Sequence, residues 1–244
     1  MIELKNINKE FLFGTEKFKI FQDFNLLIEE GSFVIVFGPS GCGKSTLINL
    51  LSGIDLPDSG QVKSALGFNK QRIGYVSQNN SLLPWLTVLE NTAFTLKLRG
   101  ISKTDRNIKA REILCEMSLE KYENFYPRQL SGGLTQLVAF ARAVAAESDL
   151  ILMDEPFSSL DFLHRNKLQD VIKKLHLKYL FTVVFVTHQV DEALYIGERL
   201  VALAATKPTK VLIDISLKNI MDKDSETFYK VQNKILNLNY QNEI

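Results

Sequence analysis

The residues with the clearest chemistry stand between positions 38 and 46. Gly38-Pro39-Ser40-Gly41-Cys42-Gly43-Lys44-Ser45-Thr46 follows the apolar run Phe33–Phe37 and precedes Leu47-Ile48-Asn49-Leu50-Leu51. Five apolar residues predict a short buried strand, the glycines permit a sharp turn, and the run from Ser45 predicts a helix. The spacing Gly38-x-x-x-x-Gly43-Lys44-Ser45 is that of a phosphate-binding loop. Its backbone N–H groups face into the turn, and the following helix offers the positive end of its dipole. Lys44 can reach the β- and γ-phosphates of a nucleotide, and the Ser45 hydroxyl can ligate Mg²⁺.

Further candidates stand at the ends of other apolar runs. Asp154 and Glu155 follow Leu150-Ile151-Leu152-Met153. In an open α/β sheet ligands gather at the carboxyl ends of strands, so both carboxylates are expected beside the 38–46 loop. Asp154 suits a metal role, usually through water, and Glu155 can orient or deprotonate an attacking water. Gln78 closes the run Arg72–Ser77, and His188 follows Val183–Val186. Gln78 is a candidate ligand of Mg²⁺ or of the attacking water, and His188 a candidate contact to the γ-phosphate. Leu130-Ser131-Gly132-Gly133 stands at a predicted helix start, a second anion-binding nest. One chain already has a complete phosphate site, so a second nest makes sense if it receives the nucleotide of another subunit. His164 and His176 fall inside a predicted helix and receive no role.

The elements that must position these groups follow from periodicity. Ile2 to Ile7 alternates as a half-buried strand does, and Phe24–Ile28 reads as a second strand. Pro57–Gly60 is a turn. Between Leu82 and Gln129 helical periodicity dominates: one helix begins at Thr87, and Asp105–Met117 carries apolar Ile108, Ile113 and Leu114. Helices are expected at Ser131–Glu147, Phe162–Tyr179, Asp191–Ile196 and Glu226–Leu238, with strands at Thr182–Val186, Leu200–Leu203 and Lys210–Ile215. Apolar strands alternating with helices predict an α/β fold on a mostly parallel sheet.

Composition narrows the function classes. With 244 residues, 45% of them hydrophobic, the chain can bury a large core. A net charge of +1 gives no global pull toward nucleic acid. Cys42 and Cys115 are the only cysteines; one sits inside the phosphate loop, which predicts a reducing compartment and no disulfide. From two cysteines and three histidines at these spacings no zinc site is expected. Neither a signal peptide nor a spanning helix is expected, so work at a membrane would proceed through a partner.

Taken together, the motifs resemble those of the nucleotide-binding subunit of an ATP-binding cassette (ABC) transporter over nearly the whole chain. The phosphate loop, Gln78, the signature Leu130–Gly133, the acidic strand Leu150–Glu155 running into Pro156, and His188 occur in that family's order. Ser159-Leu160-Asp161 matches the family's D-loop. The resemblance implies a P-loop NTPase core with an antiparallel β subdomain and an inserted α-helical subdomain, ATP and Mg²⁺ as ligands, and ATP hydrolysis coupled to transport. It implies one domain over 1–244, with residues of about 1–79 and 145–244 in the core and about 80–144 in the helical part. It further implies adenine stacking on an aromatic ahead of the loop, with Phe11 the first choice and Phe13 the second. Two copies would meet head to tail, each nucleotide held between a phosphate loop and the opposite Ser131–Gly133, with Asp161 nearby.

Ser81-Leu82-Leu83-Pro84-Trp85-Leu86-Thr87-Val88-Leu89-Glu90-Asn91 is similar to the segment after the Q-loop in importers of nitrate, sulfonate and taurine. Ala204–Lys210 also resembles the carboxyl-terminal strand hairpin of that group. This narrower likeness implies transmembrane permease subunits contacting Gln78–Asn91, an external binding protein acting indirectly, and a peripheral place on the cytoplasmic face of the cell membrane. An ABC ATPase of an exporter or lipid-transport system and a soluble non-transport ABC ATPase are the alternatives. The chain departs from the family pattern at Leu137, where an Arg is usual; the change removes several donors that could anchor the signature helix.

Overall fold

The computed structural model describes residues 1–64, 72–78, 82–158, 160, 162–218, 228–233 and 235, excluding the side chains of 13 and 162–164. In chain order the first elements are β1 (Ile2–Phe13), β2 (Glu16–Ile28), β3 (Phe33–Phe37), α1 (Lys44–Ser52), β4 (Ser59–Ser64) and β5 (Ile73–Val76). Then come α2 (Val88–Thr92), α3 (Phe94–Leu98), α4 (Lys103–Glu116), α5 (Gly132–Ala145) and β6 (Leu150–Asp154). The last are α6 (Phe162–Tyr179), β7 (Thr182–Thr187), α7 (Val190–Ile196), β8 (Arg199–Leu203) and β9 (Val211–Ser216). The chain divides into two compact units, Met1–Gln71 with Thr182–Ile244, and Arg72–Phe181.

The first unit holds two sheets. One is antiparallel, in the order β2-β1-β4. In the other, β3 lies between β7 and β8, parallel to both, and β9 runs antiparallel along β8. All five residues of β3 are buried, which is why the run carries no polar alternation. α7 covers this sheet through Val190, Ala193, Leu194 and Ile196.

Three features of the antiparallel sheet differ from the sequence expectation, the first being that β2 begins at Glu16, eight residues ahead of the expected Phe24. β1 continues six residues past Ile7, because irregularities between Leu4 and Ile7, Ile7 and Lys9, and Lys9 and Glu10 break the alternation that would have marked it. β4 is a strand although its sequence, Ser-Gly-Gln-Val-Lys-Ser, is polar. It pairs with β1 along its backbone, and its residues are exposed or half-buried.

In the second unit β5 and β6 pair in parallel, and α5 packs against β5, α2, α3, α4 and α6. Eleven of the fourteen residues of α5 are buried, which fits its apolar sequence after Gly133. On α4 the buried face is Ala110, Ile113 and Leu114, while Ile108 is 51% exposed. Ile108 lies five residues before Ile113, about 140° round the helix, so it cannot share that face. On α6 His176 is buried, its Nδ1 3.0 Å from the Phe181 carbonyl, so its place is structural. Of the expected tail helix, 228–233 and 235 are helical; the rest lies outside the described residues.

Candidate functional site

The 38–46 loop joins the central strand β3 to α1. Phe37 pairs with Thr187 at the end of the β3–β7 ladder, so Gly38 and His188 are the next residues on two adjacent strands. His188 is exposed there. Within the loop Gly38, Cys42, Gly43 and Lys44 are buried, while Ser40, Gly41 and Ser45 are exposed; Pro39 and Thr46 are half-buried. Gly43 caps α1 at φ 99°, a left-handed conformation that a side chain would strain. A Cβ there would also stand 2.9 Å from Ile20 Cγ2, and one at Gly38 would stand 3.0 Å from the Leu203 carbonyl oxygen. The loop is therefore glycine-bound by its own surroundings.

Lys44 Nζ donates to the carbonyl oxygens of Gly38 at 2.7 Å and Pro39 at 2.9 Å. These bonds fold the ammonium back onto the loop's own carbonyls. Burial pushes the Cys42 thiol up from its ordinary pKa, partly offset by the Lys44 charge, so this free thiol stays protonated and weakly reactive. Thr209 Oγ1 donates to the Cys42 carbonyl oxygen at 2.7 Å.

Phe11 lies on β1, 42% exposed and opposite Phe18, with Lys9 Nζ 5.1 Å from its ring centroid. The alternative, Phe13, has its side chain outside the described residues.

In the second unit, Val76 pairs with Met153 at the ends of β5 and β6. Gln78 and Glu155 therefore stand two residues past paired positions on neighbouring strands. Gln78 Nε2 donates to Ser158 Oγ at 3.1 Å. Asp154 and Glu155 are half-buried. Glu155 adopts φ 44°, outside the regions a side chain prefers, at a cost on the order of 1–3 kcal/mol that the surrounding turn must supply. Ser158 N–H closes that turn on the Glu155 carbonyl at 3.3 Å. Tyr75 has its pKa raised by burial and by the charge and hydrogen bond of Asp154, so its phenol stays a donor toward that carboxylate.

Ser131 caps α5, its Oγ accepting from the Leu134 N–H at 3.4 Å. Ser131 and Gly132 are exposed and Gly133 is buried. A Cβ on Gly132 would meet nothing within 4 Å. Gln136, one turn on, is buried, and its Nε2 donates to the carbonyl oxygens of Ser77 at 3.3 Å and Gln78 at 3.0 Å. This amide ties the signature helix to the strand end carrying Gln78, while Leu137 is simply buried. The predicted D-loop residues Ser159 and Asp161 lie outside the described residues.

Trp85 is 69% exposed in the turn ahead of α2. The turn is fixed from within by Asn91, which is fully buried. Its Nδ2 donates to the carbonyl oxygens of Leu83, Leu86 and Thr87 at 3.0–3.1 Å, and its Oδ1 accepts from the Leu83 N–H at 2.8 Å. Thr87 and Glu90 close a capping box at the start of α2.

The donors expected for Mg²⁺ are the Ser45 hydroxyl, the Gln78 amide oxygen and the Asp154 carboxylate. All are hard oxygens, the class this ion prefers, so the residues fit the metal. Sequence reasoning missed Ser158, Thr209 and Tyr75. Each acts through a partner fixed by the fold, and a lone hydroxyl in a loop carries no pattern.

The family model described as ABC transporter matches residues 21–158. An aliphatic sulfonates import ATP-binding protein, SsuB of Bacillus cereus, is 35% identical over 240 residues, covering 96% of this chain and 94% of its own. The probable sulfate/thiosulfate import ATP-binding protein CysA of Chlorella vulgaris is 40% identical over 234 residues, covering 93% and 96%. Among solved structures, the dimeric post-hydrolysis state of the ATP-binding cassette MJ0796 bound to ADP and Pi superposes with a TM-score of 0.78. It is 36% identical, and the match covers 89% of this chain and 99% of that one. The chain belongs to the ABC transporter family. It is an ATPase subunit of that family, with ATP and Mg²⁺ as its ligands.

Proposed function

We propose that this ATPase works as a pair of copies and drives an importer of a small oxyanion of the sulfonate or sulfate kind. The observation that carries the pairing is the Ser131–Gly133 helix start. It is a capped, exposed nest with open space at Gly132, in a chain whose phosphate loop is already complete. In this reading each ATP lies with its phosphates in Gly38–Thr46 of one copy and against Ser131–Gly133 of the other. Phe11 stacks on adenine and His188 meets the γ-phosphate. Ser45, Gln78 and Asp154 would hold Mg²⁺, which neutralises phosphate charge when bound. Glu155 takes the proton of the attacking water, held in place by its turn through Ser158.

The names of the sulfonate and sulfate relatives support the import direction and substrate class. Trp85 supports a docking surface for the permease within Gln78–Asn91, since an exposed indole on a fixed turn suits an interface anchor. The helical stretch of about 80–144 is then where nucleotide state reaches the permease, and the subunit sits peripherally on the cytoplasmic face of the membrane. Among the described residues no helix is long and apolar enough to cross it. An external binding protein and the permease would select the solute.

The test is ATP-dependent association. Glu155→Gln, which binds ATP without consuming it, should elute as a dimer with ATP and as a monomer without it. Adding Ser131→Arg, which fills the exposed nest, should abolish the dimer while leaving ATP binding by each copy. A Glu155→Gln protein that stays monomeric in ATP overturns the pairing.

A further inference from the structure

The segment between β8 and β9 runs beneath the phosphate loop. Leu203, the last residue of β8, places its carbonyl oxygen 3.0 Å from where a Cβ on Gly38 would stand, so a side chain there would crowd it. Six residues on, Thr209 is 3% exposed and donates through Oγ1 to the Cys42 carbonyl oxygen at 2.7 Å. Thr209 is itself held on two sides. Its N–H donates to the Ile20 carbonyl of β2 at 2.7 Å, and the Ala204 N–H closes the segment on the Lys210 carbonyl at 2.8 Å. Lys207 Nζ rests 5.5 Å from the Phe18 ring centroid on the same strand.

We propose that Thr209 is a positioning residue for nucleotide binding: its hydroxyl fixes the Cys42–Gly43 peptide plane and so aims the Gly43 N–H toward the phosphates. A trans peptide is planar, with its C=O and N–H pointing opposite ways. Anchoring the Cys42 carbonyl on the Thr209 side therefore sends the Gly43 N–H to the other side. The restraint is needed because glycine follows: Gly43 tolerates either sign of φ, so nothing in its own backbone prevents this plane from turning over. The hydrogen bond also polarises the amide and strengthens its N–H as a donor. The segment thus ties the phosphate loop to β2, whose Phe18 pairs with Phe11.

The inference rests on reading Gly38–Thr46 as the phosphate site, so Lys44→Ala is measured beside it. The full chain is titrated with ATP and Mg²⁺ well below its melting temperature, and steady-state KM and kcat are recorded. Thr209→Val keeps the shape and removes the hydroxyl. It should weaken ATP binding about 5–10-fold, the scale of one buried hydrogen bond, with KM rising in step and kcat within about twofold. Thr209→Ser restores the hydroxyl and should return affinity to within about twofold of the parent. If Thr209→Val does not fold, Thr209→Ala takes its place with the same expectation. Unchanged ATP affinity in the hydroxyl-free variant, even with a lowered melting temperature, overturns the proposal, as does a serine variant as weak as the valine one. If Lys44→Ala also binds ATP normally, the phosphate-site reading fails with it; if only Lys44→Ala is weakened, the failure belongs to Thr209 alone.

Discussion

The phosphate loop and the start of α5 are both glycine-bearing nests at helix N-termini, built to opposite specifications. In the first, Gly38 and Gly43 are required by the chain itself, since side chains there would meet Leu203 and Ile20. Lys44 is buried and turned onto the loop's own carbonyls. In the second, Ser131 and Gly132 face outward, and a Cβ on Gly132 would occupy empty space. In the proposed pairing, the first nest is finished within one molecule and the second is completed by another copy.

The largest effect should come from the chemistry that both nests serve. Glu155→Gln should cut turnover about 10²–10⁴-fold, the range for losing a general base, with ATP affinity retained. Near-normal hydrolysis would remove Glu155 from that role. Lys44→Ala should weaken ATP binding about tenfold or more in the isolated chain, as expected for a charged hydrogen-bond donor to phosphate. Equal affinity in a binding titration would take Lys44 out of the site.

The two nests should then part company in stability. Gly43→Ala introduces strain at φ 99° and a contact with Ile20, and should cost about 1–3 kcal/mol in denaturant unfolding. Gly132→Ala, at the first position of α5, should leave stability unchanged or raise it by about 0.5–1 kcal/mol while lowering ATPase activity. A destabilised Gly132→Ala protein would erase the contrast.

The smallest effect concerns the far end of α5. Glu147 is held below its ordinary pKa of 4.5, first by the hydrogen bond from Lys109, then against burial by the charges of Lys109 and Arg72. Its folded pKa is lower than its unfolded one, so it stabilises the fold above about pH 4.5, and that gain is lost as pH falls through the folded value. Both partners are exposed, so the gain is below about 1 kcal/mol. Glu147→Gln should flatten the acid limb of stability by that amount and leave ATP affinity unchanged.

What the sequence made legible was whatever needs a fixed residue at a fixed spacing. The 38–46 loop, the buried run of β3 and the Asp154–Glu155 strand end were of this kind. Their chemistry or their burial on both faces dictates residue type. β4 was not legible because an edge strand paired along its backbone can be mostly polar. The length of β1 was hidden by its irregular pairing, and the exposure of Ile108 by reading apolar residues without their angular spacing. Thr209 and Ser158 were invisible for another reason. Their partners lie 167 and 80 residues away, and only the fold brings a hydroxyl to a particular oxygen across such a span.

The turn bearing Trp85 has a mechanical consequence. Four hydrogen bonds made by one buried amide, three donated and one accepted by Asn91, lock its backbone to the first turn of α2. Such a turn acts as a stiff crank rather than a spring. A displacement of the turn would therefore carry the start of α2 with it rather than deform the loop.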